Sequence, residues 1–262
     1  MEMRMYFMLI RASIKSRLQY KFNFIFSMLM AMLLNVSEFL MIAFVLLKFN
    51  SIQGWSIYEV GYLYSVILLS KTLYRTFASD VHHLEKYLVS GDLDSFFIRP
   101  IPILLTLMSQ NFFLLIGELL QGTFIILICI QHFHSIGQVD LWIIPITILI
   151  ILAGSIILFS IGLATSTLGF WLTRVEMLQN LTEDAAMNAV RYPLSLYPNW
   201  LKGIFLTILP LGFINYLPAL YILKQDVGIW IIGATIMVAC LCLWLSLRFW
   251  KIGLSRYQST GS

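Results

Sequence analysis

The sequence predicts an all-α integral membrane protein with about six transmembrane helices. Three observations carry that reading. Of 262 residues, 60% are hydrophobic and only 11% are charged, against about 25% charged in a soluble globular chain. Mean hydropathy is +0.86. Apolar stretches recur at roughly 20 residues, the length that crosses ~30 Å of hydrocarbon. No segment between the stretches is long enough to build its own core, so residues 1–262 read as one membrane domain.

The net charge of +4 is concentrated at the two ends. Residues 1–21 hold Arg4, Arg11, Lys15, Arg17 and Lys21 against Glu2, and the tail holds Arg248, Lys251 and Arg256 with no acid. Positive flanks stay cytoplasmic. Both termini are therefore expected inside, with an even number of crossings. The first apolar run is too long for a signal-peptide core, and no small-residue cleavage site follows a short one.

Residues 1–21 suit an amphipathic helix on the inner leaflet. Arg4, Arg11 and Lys15 share one face, with Tyr6, Leu9 and Ile10 roughly opposite. Crossings are expected at about 24–47, 57–74, 103–130, 142–172 and 228–250. Residues 75–100 return polar to the cytoplasm, and the link from His132 to Asp140 is an outer loop. The long fourth run carries Gly154, Gly162, Ser166 and Gly169, small residues that let helices approach closely. The three cysteines, Cys129, Cys240 and Cys242, read as packed or lipid-facing thiols.

Residues 173–223 admit two readings. Hydropathy places a crossing at 204–223 and leaves a loop before it. Yet 174–191 has helical periodicity: Glu176, Asn180, Glu183, Asp184, Met187 and Arg191 form a stripe opposite Leu178, Leu181, Ala185 and Ala189. Pro193, Pro198, Pro210 and Pro218 then follow, too many for one straight spanning helix. They suit short broken helices that enter a membrane and return.

Three motifs add a resemblance. One is Gly91-Asp92-Leu93-Asp94-Ser95-Phe96-Phe97-Ile98-Arg99-Pro100. The second is Arg191-Tyr192-Pro193-Leu194-Ser195-Leu196-Tyr197-Pro198-Asn199-Trp200-Leu201, running on to Pro210 and Tyr216-Leu217-Pro218-Ala219. The third is Phe249-Trp250-Lys251-Ile252-Gly253-Leu254-Ser255-Arg256-Tyr257. Each alone is a weak signal, but all three stand in order between the crossings. The chain thereby resembles permease subunits of the type-2 ATP-binding-cassette (ABC-2) exporters over essentially its full length. The resemblance implies six crossings, with 174–191 as the fifth and 192–222 as an extracellular re-entrant hairpin. It also implies two ATPase subunits carrying ATP and Mg, and a second permease, identical or homologous, with a heterodimer slightly favoured. The setting it implies is a bacterial plasma (inner) membrane.

Candidate site residues fall into three groups. Residues 75–100 form a candidate ATPase-coupling segment through Asp80, Glu85, Lys86, Gly91, Asp92, Asp94, Arg99 and Pro100. Asp80 or Ser79 can cap a helix through His82, His83, Glu85, Lys86 and Tyr87. Gly91 can close it in a left-handed turn, and Arg99-Pro100 can open the third crossing. Glu38, Glu118, Gln121, Glu183 and Asp184 are candidates for a substrate pathway, because a carboxylate in hydrocarbon faces protein or water. Such a path favours an amphipathic or cationic compound. Pro193, Pro198, Trp200, Pro210 and Pro218 belong to the hairpin. Trp55, Tyr58, Trp142, Tyr192, Tyr197 and Trp200 read as interfacial anchors.

Other classes find little support. No Gly-x-x-x-x-Gly-Lys-Ser/Thr loop can cradle ATP phosphates, and neither His-Glu-x-x-His nor Gly-x-Ser-x-Gly is present. His132 and His134 lack partners to complete a metal site. No catalytic residue, metal or bound cofactor is assigned to this chain, and its partners include membrane lipids but no nucleic acid. The rival readings are a secondary transporter working without an ATPase and a lipid-modifying membrane enzyme.

Overall fold

A computed structural model describes residues 2–49, 51, 54–112, 114–172 and 174–258. These form twelve α-helices and no strand. In order they are α1 (Glu2–Leu18), α2 (Lys21–Phe49), α3 (Ile57–Ala78), α4 (Leu84–Ser90), α5 (Asp94–Phe97) and α6 (Ile103–Gln110). There follow α7 (Ile116–Ser135), α8 (Ile143–Thr167), α9 (Glu176–Arg191), α10 (Asn199–Thr207), α11 (Tyr216–Ala219) and α12 (Trp230–Leu254). By length and composition, four segments suit a membrane crossing: Lys21–Phe44, Ile116–Ser135, Ile143–Phe170 and Trp230–Leu254.

The spine is α3. It packs against α7, α8 and α9 and passes through both buried clusters. It opens with a capping box: Ser56 N–H donates to Glu59 Oε2 at 2.8 Å, while Glu59 N–H reaches Ser56 Oγ at 3.4 Å. Its 22 residues span about 33 Å at ~1.5 Å per residue. Glu59, Lys71 and Arg75 lower its hydropathy below that of the four segments. Neighbouring helices sheathe it, so it need not be apolar on every side.

The close approach of α8 to α3 follows from small residues. A Cβ on Gly154 would sit 2.7 Å from Ser70 Oγ, and one on Gly162 would overlap the Tyr74 hydroxyl. Ser166 Oγ donates to Val81 O at 2.7 Å. Of the stripe of small residues expected along the fourth run, Gly154, Gly162 and Ser166 thus meet α3 and the turn that follows it, while Gly169 meets Leu88 and Val175.

The third crossing differs from expectation. Residues 103–130 do not form one helix: α6 ends at Gln110 and α7 begins at Ile116. The polar run Ser109-Gln110-Asn111 finds partners that a straight helix would deny it. Asn111 Nδ2 donates to Asp80 Oδ2 at 2.6 Å. Ser13 Oγ on α1 reaches the carbonyls of Gln110 and Phe112 at 3.0 and 3.3 Å. Helix α6 therefore packs on α1 and beside the 79–81 turn. On α1, Arg4, Arg11 and Lys15 are exposed, while Tyr6, Leu9 and Ile10 are half-buried.

At the other end α7 continues to Ser135, so His132 lies on a helix and not in a loop. Its ring stacks on Tyr58 at 3.6 Å between centroids. Trp55 is also not an exposed anchor. It is 3% exposed, packed beside Tyr216 and beneath the Lys224 ammonium.

Residues 204–223 are not one straight crossing either. The pieces Asn199–Thr207 and Leu211–Lys224 meet at 77°. Pro193, Pro198 and Pro210 each stand immediately before a helical piece, and Pro218 lies within α11. Proline lacks the N–H that a helix interior needs but fits a helix start. Trp200 is 68% exposed on α10.

Candidate functional site

At one end of the bundle the α4–α5 segment is fastened from three sides. Tyr87 donates to Asp80 Oδ2, the carboxylate that also takes Asn111. Asp80 is thus buried within a 3₁₀ turn and does not cap α4, whose N-cap is His83 with no side-chain bond. Two hydrogen bonds to a buried carboxylate replace its lost hydration better than one exposed cap would. Gly91 closes α4 at φ 75°, the left-handed turn its position predicts. Pro100 is exposed, and Pro102 is the residue that precedes α6.

Glu85 has the most consequential contact. Its Oε2 accepts the backbone N–H groups of Val175 and Glu176, each at 2.6 Å. A carboxylate on α4 therefore caps α9, where the helix dipole is positive. Asp94 accepts the Tyr257 hydroxyl at 2.9 Å, and Phe97 stacks on the Tyr257 ring at 5.5 Å. Burial, then the Asp94 carboxylate, pushes the Tyr257 phenol up to about 12. Phe170, at the end of α8, packs against both Trp250 and Tyr257. The first and third sequence motifs thus meet in space.

The outer face of this segment is open. Lys86, Asp92, Ser95 and Pro100 are exposed, as are Val89 at 70% and Ile98 at 85%. Asp92 takes the Ser90 hydroxyl at 2.7 Å, and Arg99 lies over the Phe96 ring at 5.0 Å.

Beside this segment a polar seam joins the last turn of α3 and the turn after it to α9. Arg75 grips Glu183 through Nε and Nη2 at 3.0 and 2.5 Å. His82 stands 3.3 Å from the same carboxylate and 3.2 Å from Asn180 Oδ1. Burial, then the Arg75 charge, holds the His82 imidazole below its ordinary pKa. Of the expected stripe, Glu183 and Met187 turn inward, and of the opposite side Ala189 is buried, whereas Leu178, Leu181 and Met177 face out at 38%, 58% and 75% exposure. The buried face of α9 is mixed: Gln179 lies there beside Ala186, Met187, Ala189 and Val190, and Asn180 is exposed. Asp184 and Glu176 remain exposed.

Two of the other pathway candidates have individual partners. Glu38 on α2 pairs with Arg191 at 2.6 Å. Glu118 accepts the Thr72 hydroxyl at 3.1 Å. Gln121 is 4% exposed and both its amide atoms are buried without a hydrogen-bond partner. These five residues do not converge on one cavity.

Sequence reasoning gave Arg75 and His82 no part in the seam and passed over Asn215. A cation near the end of a crossing needs a buried acid, so Arg75 was findable as the partner of Glu183. Asn215 was not: its Nδ2 joins Leu63 O and Val190 O at 3.0 and 2.7 Å across three segments. Among the described residues no group of three His, Cys, Asp or Glu side chains could hold a metal ion.

No curated protein matches the chain. The sequence profile described as ABC-2 family transporter protein matches residues 31–261. That match runs from α2 through the C-terminal motif and includes the fastened α4–α5 segment, the polar seam and the broken helices. The chain belongs to the ABC-2 family of transporter proteins, as a multi-pass membrane component of an ABC transporter.

Proposed function

We propose that the chain is the permease subunit of an ATP-driven exporter in a bacterial plasma membrane, with both termini cytoplasmic. One observation carries this reading. The α4–α5 segment is exposed on one side and fastened on the other to α9 through Glu85 and to the C-terminal segment through Asp94. A push on the exposed side has a short, hydrogen-bonded route to a helix of the bundle. That is what a segment seated on an ATPase needs. Two ATPase subunits supply ATP and Mg, and Asp92, Arg99, Lys86 and the exposed Val89 and Ile98 dock them.

A second permease, homologous more than identical, covers α2. The apolar window of α2 is only 6% buried in this chain, and the outward face of α9 stands open. The path between the two permeases carries an amphipathic compound. Glu38 and Glu183 are each ion-paired, so a positive charge on that compound is met by Asp184 and Glu118. On this reading α9 is the fifth crossing and residues 192–222, bent at 77°, form the re-entrant hairpin on the outer side.

The test is purification of the chain from its native membrane in mild detergent, with mass spectrometry of what accompanies it. An ATP-binding subunit, with a second permease beside it, is expected. Recovery without any ATPase in several detergents would make a secondary transporter the better reading. The triple variant Asp92→Asn, Asp94→Asn, Arg99→Gln should lose substrate-stimulated ATP hydrolysis and export together. Normal export by that variant would remove the segment from the mechanism.

A further inference from the structure

At the end of the bundle opposite α4 and α5, a cavity of about 630 Å³ opens between two connections. One wall is the α7–α8 link with Gln138, Asp140 and Trp142. The other is the segment after α11, with Tyr221 and Gln225. The volume lies within the ~300–1,000 Å³ of small-molecule sites. Neither the family assignment nor the proposed path uses it.

The second wall has two backbone irregularities. Leu220–Lys224 is a π-helical turn. Gln225, which ends it, has φ 57°, the one non-glycine residue with positive φ among the described residues. Both features are uncommon and gather at functional sites. The turn places Tyr221 on the cavity while sending its neighbour Lys224 elsewhere.

The chemistry of the lining is one-sided. Asp140 contributes a carboxylate, and Trp142 and Tyr221 contribute rings. Gln138 donates its Nε2 to Leu223 O at 2.8 Å, so its carbonyl oxygen is the end left to face a ligand. No Lys or Arg lines the space. The adjacent cation, Lys224, is held by Glu59 Oε1 and Gly54 O, each at 2.8 Å. A source of positive potential is the start of α8. Its N–H groups at Ile143 and Ile144 are already taken by Asp140 O and Leu141 O. Acceptors and ring faces without a competing cation form a site for an organic cation with an apolar body.

We infer that this cavity binds a quaternary-ammonium-type organic cation, its charge against Asp140 and its alkyl groups against the rings of Trp142 and Tyr221. The site does not depend on the transport reading, because binding belongs to this chain alone.

The experiment is calorimetric titration of the purified full-length chain in a non-ionic detergent. The probes are choline and benzyltrimethylammonium, with 3,3-dimethylbutan-1-ol as the neutral isostere of choline. Saturable binding of both cations is expected, with the isostere at least tenfold weaker. Asp140→Asn and Trp142→Leu should each weaken the cations about tenfold or more, while Asp140→Glu should retain them. Asp140 and Trp142 are exposed, so these variants should keep the wild-type melting temperature. Should Asp140→Asn fold poorly, the contrast between Asp140→Glu and Trp142→Leu decides. Absence of saturable binding overturns the inference, as does equal binding of the isostere or cation affinity unchanged in both weakening variants.

Discussion

Helices α2 and α3 run side by side, yet they obey opposite rules. Within α2, Phe22, Ile25, Leu33 and Met41 are half exposed or more, and the apolar stretch is 6% buried. In α3, 16 of 22 residues are buried, among them Glu59, Ser65, Ser70, Thr72 and Thr76. Hydropathy therefore reports which helix the rest of this chain leaves uncovered and not which helix lies at the centre. An apolar helix needs no partner in a bilayer, whereas a polar one must find its partners within the protein.

The contrast predicts where substitution hurts. The largest effect should come from Glu183→Ala, which strands Arg75 in the seam. Breaking one side of a buried pair costs about 3–5 kcal/mol, here toward the lower end because both side chains retain some exposure. Thermal unfolding in detergent micelles should show a large loss, and Arg75→Met with Glu183→Met together should recover most of it. A double variant as unstable as the single one would mean the pair is not the seam's anchor.

Next is Gly162→Val, which drives a side chain into the Tyr74 ring. Overpacking of this kind costs about 1–3 kcal/mol. Gly203→Ala, where a Cβ meets open space, should unfold within a degree or two of wild type. Equal effects at the two glycines would break the claim that α8 is held against α3 by its small residues.

Smaller again is Glu85→Ala, which leaves Val175 and Glu176 N–H groups without their acceptor. A lost cap costs about 1 kcal/mol. Amide hydrogen exchange should rise in the first turn of α9, and Glu85→Gln should restore part of the protection. Unchanged exchange there would detach α4 from α9.

His82 supplies a pH dependence. Burial and Arg75 lower its folded pKa, with Glu183 opposing and His83 adding slightly. The unfolded chain, near its reference value of about 6.5, binds the proton first as pH falls. Stability should then decline from about pH 6.5 downward, through the window between the two pKa values. His82→Gln should flatten that decline in melting curves recorded between pH 7.5 and 5. The smallest effect belongs to α2: Leu33→Ala should change the melting temperature of the isolated chain by little, about 0.5 kcal/mol or less for a surface position.

Much of the bundle is legible from the chain. Runs of apolar residues mark α2, α8 and α12 because a helix that crosses hydrocarbon must be apolar over about 30 Å. Gly91 marks the end of α4, and the four prolines mark where straight helix stops. The candidate site was legible as motifs but not as contacts. Asp94 and Tyr257 both belonged to recognisable motifs, yet nothing in their spacing brings them within 2.9 Å.

Composition and periodicity by themselves determined that this is a helical membrane protein, where its polar segment lies and that 174–191 is amphipathic. Tertiary structure alone decided which way that helix turns. Of the acids in its polar stripe, Glu183 turns inward because Arg75 and His82 wait there, while Glu176 and Asp184 stay exposed. Tertiary structure likewise decided that residues 103–130 break at Asn111. Asp80 and Ser13, distant in sequence, satisfy the freed polar groups, and only the folded chain brings them there.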